Sequence, residues 1–172
     1  MKNKYSFEGR VYSVISCTKE DIPSHTERVL SYWESAKVNI STQIKLLEKC
    51  IEQGTAYKVV DDEGKDRAGI YYIARKGLQS GDCYYMFLDN KRMLAILCYY
   101  LRMRVCLDTL YFLPHTKGFI PFRFLVDESS IRDFNCYGFP LEIKLSSQKS
   151  RYLYEDHYVR YGIKEIDDGC ST

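Results

Sequence analysis

Lys91 and Arg92 directly follow the pair Asp89-Asn90 and open a segment, Lys91 to Val105, that reads as a helix. Cations in the first turn of a helix face the positive end of its macrodipole, a placement that costs each about 0.3–1 kcal/mol relative to a favourable one. A bound anion reverses that sign, because first-turn amides and both side chains then converge on it. These residue types in this spacing could therefore hold a pyrophosphate or another anionic group. The competing reading leaves both side chains in water, neutralised by Asp89.

Groups able to move a proton are scattered. His25 falls on an apolar helical face with Ile22 and Val29 and reads as a satisfied histidine at the core edge. His115 follows Pro114 at a strand end, and His157 lies in a charged stretch; either could assist proton transfer. Asp82 and Glu63 sit in turns and read as solvated carboxylates. No nucleophile–base spacing for Ser or Cys hydrolysis is present, nor a Walker-type or dinucleotide glycine motif. The cysteines are Cys17, Cys50, Cys83, Cys98, Cys106, Cys136 and Cys170, an odd set with wide spacings and no C-x-x-C. Most lie in apolar segments, where a thiol acts as a small hydrophobe, so neither a disulfide framework nor a metal centre is expected. Reduced thiols imply a reducing, cytoplasmic setting. The 16 tyrosines include the pairs Tyr71-Tyr72, Tyr84-Tyr85 and Tyr99-Tyr100 in apolar segments, which fits core packing rather than base stacking.

The elements that must position these groups follow from periodicity. Val11 to Cys17 reads as a strand. Thr18-Lys-Glu-Asp21 has the form of a capping box, Pro23 suits a first helical turn, and Ile22, Val29, Leu30 and Trp33 share one helical face. Ile40, Ile44, Leu47 and Ile51 predict a second helix, closed by Gly54 as C-cap. Ala56–Val60 and Ala68–Ala74 form a hairpin around the turn cluster Asp61 to Asp66, and Cys83–Leu88 adds a third antiparallel strand rich in aromatics. Asp89-Asn90 caps the next helix, which is apolar around most of its circumference and so packs against a sheet. Thr109–Leu113 completes a β-α-β crossover with parallel outer strands. Beyond it, Phe119–Val126 reads as a strand, Asp127–Tyr137 as a short helix, Leu141–Leu145 as a strand, and Arg151–Ile163 as a long strand or a helix. The fold class is α+β: a central mixed, mostly antiparallel sheet flanked by helices on both faces, in one domain over residues 1–172.

That order of elements resembles the GNAT superfamily of acyl-CoA-dependent N-acyltransferases. The resemblance is best over Ala56 to Leu113. AYKVVDDEGKDRAGIYYIA is similar to the family's second and third strands, with the charged hairpin Asp61 to Lys65 and Gly69 just inside the returning strand. CYYMFLDNKRMLAILCYYLRM is similar to its fourth strand and cofactor-binding helix. The resemblance implies that acetyl-CoA is the cofactor. It implies pantetheine contacts from Phe87 and Leu88, and pyrophosphate contacts from Asn90, Lys91, Arg92, Met93 and Ala95. The family's turn is Gln/Arg-x-x-Gly-x-Gly/Ala; here it is Asn90-Lys-Arg-Met-Leu-Ala95, which keeps the small last position and lacks both glycines. In the family a Tyr, four residues before a Gly-Phe-like pair, often protonates the departing thiolate. Two segments compete for that match. Phe134-Asn-Cys-Tyr-Gly138-Phe139 leaves room for two closing strands but puts Phe134 at the Tyr position. Tyr158-Val-Arg-Tyr-Gly162-Ile163 supplies Tyr158 as the catalytic acid and leaves only nine residues after it.

The composition sets the outer limits. Of 172 residues, 45% are apolar and 28% charged, which fits a globular chain. Lys plus Arg number 25 against 23 acidic residues, a balance that argues against a dedicated nucleic-acid binder. No apolar run spans a membrane. The activity implied is transfer of an acetyl group to a primary amine, on a small molecule or a protein lysine. The alternative is a non-catalytic protein of the same fold acting as an interaction or assembly component, for example in a virus particle, as a homo-oligomer or within a larger assembly.

Overall fold

In a computed structural model of the chain, the residues described are 3–35, 37–77, 79–89, 93–112, 142–145 and 163–166. The order of elements is β1 (Lys4–Phe7), β2 (Arg10–Ser16), a 3-10 turn (Lys19–Asp21), α1 (Ile22–Glu27), α2 (Leu30–Ser35), α3 (Ile40–Glu52), β3 (Ala56–Asp61), β4 (Asp66–Ala74), β5 (Ser80–Leu88), α4 (Met93–Met103), β6 (Thr109–Phe112), β7 (Glu142–Leu145) and β8 (Lys164–Ile166). The strands form one sheet in the order β7-β6-β5-β4-β3-β2-β1-β8. Neighbours are antiparallel from β8 to β5, whereas β5–β6 and β6–β7 are parallel. The sheet is therefore mixed and mostly antiparallel.

Strand β1 is an addition to the sequence expectation, which reads this stretch as a polar start. Phe7 pairs with Arg10 across a two-residue turn in which Glu8 (φ 51°) and Gly9 (φ 79°) are both left-handed, matching the twist of the flanking strands. Tyr5 and Phe7 alternate inward and are fully buried. The helix expected after the capping box is two short ones. The Asp21 carboxylate accepts from the Thr18 N–H at 2.8 Å, as the box predicts. The chain then turns between α1 and α2, where Val29 N–H bonds to the Thr26 carbonyl at 3.0 Å. Helix α3 is as predicted, with Asn39 accepting from the Thr42 N–H at 3.1 Å and Gly54 (φ 73°) beyond its end.

The core has two clusters. One holds Tyr5, Phe7, Val14, Val59, Ile70, Tyr72 and most of α4; the other holds Cys17, Ile22, Trp33, Leu47, Tyr71, Tyr85 and Phe87. Successive residues of β4 alternate between them, as the two-residue period of a strand requires. Gly69 and Gly81 are places where a ring lies over the backbone. A Cβ on Gly69 would meet Phe87 Cε1 at 2.4 Å, and one on Gly81 would meet Tyr72 Cδ2 at 2.5 Å. The segments 119–126 and 127–137 lie outside the described residues. Strand β7 falls within the expected Leu141–Leu145, and β8 begins just past the expected Arg151–Ile163.

Candidate functional site

Strand β5 carries an extra residue next to the segment that pairs with β6. Tyr71 pairs with Tyr85 but Tyr72 pairs with Cys83, so Tyr84 is a bulge. Cys83 and Tyr85, two positions apart, consequently lie in opposite core clusters. A bulge bends its strand and increases the local twist. Among the described residues, pairing with β6 covers Ser80 to Cys83, where Cys83 meets Phe112, the last described residue of β6. Among the described residues no strand flanks Tyr84–Leu88 on that side.

The far end of β5 is anchored by charge. Asp89 accepts from Arg28 at 2.7 Å and from Arg67 at 3.1 Å. Asp89 thus holds two arginines, and the first-turn residues it is expected to cap, Asn90 to Arg92, lie outside the described residues. Arg67 is itself the extra residue of a bulge against β3 and also bonds Asp61 at 2.8 Å. Asp61 accepts from the Glu63 and Lys65 N–H groups at 2.9 Å each, and these bonds with Arg67 hold its carboxyl below the usual range. Phe87 and Leu88 are buried on opposite faces, so each offers main chain rather than side chain to a ligand in the gap. Met93 and Ala95 are buried in the α4 cluster. Asn90, Lys91, Arg92, Tyr158 and Phe134 to Phe139 lie outside the described residues.

A second constellation, of which only His25 was singled out from sequence, lies under α1. His25 is 1% exposed, with Nδ1 at 2.6 Å from Tyr71 Oη and Nε2 at 2.7 Å from Asp66. A carboxylate only accepts, so the neutral ring carries its hydrogen on Nε2 and takes the Tyr71 O–H on Nδ1. The Tyr85 hydroxyl donates to the His25 carbonyl. Lys58 Nζ bridges Asp21 at 2.8 Å and Asp66 at 3.1 Å. Burial pushes the His25 pKa down and outweighs the pull of Asp66. Burial also opposes charge on Asp21 and Lys58, but their hydrogen bonds prevail, lowering the acid and raising the base. Asp21, His25 and Asp66 each present a metal-ligand atom within 4.8 Å of the others. The Lys58 ammonium already supplies a cation between the carboxylates, so this is an ion-pair network. The sequence signals were a lysine inside an apolar strand and an acid at the end of a capping box.

Other flagged groups are partnered. Asp82 holds Arg75 at 2.7 Å, and the Arg75 guanidinium lies 3.5 Å from the Tyr111 ring centre. Tyr71, Tyr72 and Tyr85 are buried core residues. Cys17, Cys50, Cys83 and Cys98 are buried free thiols, and Cys106 is exposed. His115, His157, Cys136 and Cys170 lie outside the described residues. A pocket of about 200 Å³ lined by Gln79, Ser80, Asp108, Thr109 and Tyr111 sits at the amino end of the parallel pair, away from Phe87 and Leu88. No helix of the described residues is long and apolar enough to cross a membrane.

Among solved structures, the chain is similar to an acetyltransferase of the GNAT family from Listeria monocytogenes 4b F2365. The TM-score is 0.43 at 13% identity, covering 62% of this chain and 78% of that one. No family model and no curated protein matches the sequence. At that TM-score and identity, any functional reading stands on the arrangement of β5, β6 and α4 itself.

Proposed function

We propose that the chain is an acyl-CoA-dependent N-acyltransferase that moves an acetyl group to a primary amine of a small molecule or a protein lysine. The observation that carries this reading is the Tyr84 bulge in β5, which bends the strand just past the residues paired with β6 and just before the chain enters α4. An open strand edge presents alternating N–H and C=O groups to an extended ligand. Open sheets bind ligands beyond the carboxyl ends of strands where the strand arrangement switches, and β5 is where antiparallel gives way to parallel here. The amide groups of a pantetheine arm suit such an edge, meeting the main chain at Phe87 and Leu88. Asn90, Lys91 and Arg92 would close on the phosphates. Met93 and Ala95, their side chains committed to the core, would contribute only amides. Acetyl-CoA, when bound, supplies the activated thioester; Tyr158 would donate the proton that the departing sulfur takes up. The alternation of core residues supports a sheet with helices on both faces, and the buried thiols suit a reducing, cytoplasmic setting.

Isothermal titration with acetyl-CoA tests the proposal. Saturable binding, with turnover on an amine panel, is expected; no heat at millimolar cofactor overturns it. A second reading, a non-catalytic interaction component, draws support from Val11 and Ile15, which are 38% and 39% exposed on one face of β2. Self-association in light scattering without turnover would favour that reading; a monodisperse monomer with acyl transfer would end it.

A further inference from the structure

The polar contacts of α1 to the sheet converge on few side chains. A helix of six residues has no stability of its own and depends on what holds it. His25 bonds Tyr71 and Asp66 of β4 with its two ring nitrogens, and its carbonyl accepts from Tyr85 of β5. Arg28, one residue past α1, reaches Asp89. The Phe87 ring lies against both, 4.5 Å from the His25 ring and 4.3 Å from the Arg28 guanidinium carbon. Asp21, just before α1, is tied through Lys58 back to Asp66.

We propose that this arrangement is a pH-released latch: neutral His25 locks α1 over β4 and the carboxyl end of β5, and protonation of His25 unlocks it. The reason lies in the direction of each bond. Nδ1 accepts the O–H of Tyr71, whose side chain is 0% exposed. A proton on Nδ1 makes that nitrogen a donor, so the Tyr71 O–H must turn away toward the weaker acceptor Cys17, and it places a cation on a ring that is 1% exposed. The charged groups around the ring pull in different directions. Asp66 of β4 and Asp21 favour the imidazolium and Lys58 of β3 opposes it, while Tyr71 of β4, Tyr85 of β5 and Phe87 of β5 contribute burial; Arg28 packs on the same Phe87 side chain. Burial prevails, so the ring is neutral at neutral pH and takes its proton below the ordinary histidine range. Lifting α1 relieves the conflict by returning the ring to water. Phe87 and the Arg28–Asp89 pair then lose their position.

The chain has one tryptophan, Trp33 of α2, 4% exposed and packed edge-on against Tyr85 at 6.0 Å. Its emission reports on the latch without any ligand. Titrating the protein from about pH 7.5 to about pH 5 should shift Trp33 emission to the red in one step while far-UV circular dichroism holds. His25→Gln, which bonds but does not titrate there, should lose the step, and Asp66→Asn should move its midpoint to lower pH. A flat wild-type titration overturns the latch whether or not either variant folds, and so does a step retained in His25→Gln. One consequence rests on the reading above: affinity for acetyl-CoA should fall across the same step. A Trp33 step in a protein that binds no acetyl-CoA leaves the latch intact and removes only the transferase reading.

Discussion

Gly69→Ala puts a methyl group where the Phe87 ring lies. The new Cβ would stand 2.4 Å from Cε1 and 3.1 Å from Cδ1 and Cζ, closer than non-bonded carbons tolerate. The ring has little room to move, since it is 1% exposed and packed against both His25 and Arg28. Gly69 does not have a positive φ, so alanine brings no backbone strain and gains about 0.4–1 kcal/mol by restricting the unfolded chain. Overpacking a tight core costs about 1–3 kcal/mol. The net expectation is a loss of about 1–2 kcal/mol. With a urea dependence of about 1–3 kcal/mol per molar for a small protein, the midpoint should fall by about 0.5–1.5 M. Urea melts followed by Trp33 emission and circular dichroism measure this. Phe87→Leu shortens the side chain that clashes, so the double variant should lose less than the two single losses combined, with a coupling of about 1 kcal/mol. Unchanged or raised stability in Gly69→Ala, or simple additivity, would refute the placement of Phe87 over this backbone and with it the geometry proposed for the end of β5.

Stability should fall with acid before the carboxylates titrate. Folding holds His25 below its ordinary pKa, so between the two values the unfolded chain binds more protons; the stabilisation is whole above about pH 6.5 and erodes as pH falls through that value toward the folded pKa. Urea midpoints at about pH 7.5 and 5.5 should differ in the wild type and draw together in His25→Gln. Lys58→Met leaves Asp21 and Asp66 facing each other without their shared ammonium, an expected loss of about 1–3 kcal/mol. The same variant should raise the His25 pKa, read by imidazole nitrogen shifts, because the lysine charge opposes the imidazolium. Alkylation of the native protein, mapped by peptide mass spectrometry, should label Cys106 quickly. Cys17 and Cys50, pushed by burial to about 12 and about 11, and the fully enclosed Cys83 and Cys98, should react only in denaturant.

The middle of the chain was legible because its signals are local. The charged turn between Val60 and Ala68, the aromatic run Cys83–Leu88 and the apolar helix after it lie in consecutive windows, and the structure has β3, β4, β5, α4 and β6 in that order. Strand β1 was missed although Lys4-Tyr5-Ser6-Phe7 alternates polar and apolar residues, because four residues make a short window and Glu-Gly is a weaker turn signal than Asn-Gly. The single apolar face through Ile22, Val29 and Trp33 is compatible with one helix; the break at Val29 follows from packing, which periodicity does not encode. Strand β8 pairs with β1 from the other end of the chain, a contact with no local signature. At the candidate site, Phe87 and Leu88 were named only through the family resemblance, and the Tyr84 bulge was not foreseen, since nothing in Tyr84-Tyr85 marks one residue as extra. His25 was read as a satisfied histidine, and its partners Asp66 and Tyr71 of β4, with Lys58 of β3 bonded to Asp66, are brought to it only by the folded sheet.

The central claim is that the carboxyl half of β5 is an open edge that receives an extended anionic cofactor, and amide hydrogen exchange tests it most directly. Adding CoA should slow exchange within Tyr84–Leu88 and at the start of α4 while leaving the β3–β4 hairpin turn unchanged. Unaltered rates in that stretch at saturating CoA, or protection confined to the pocket around Ser80 and Thr109, would contradict it.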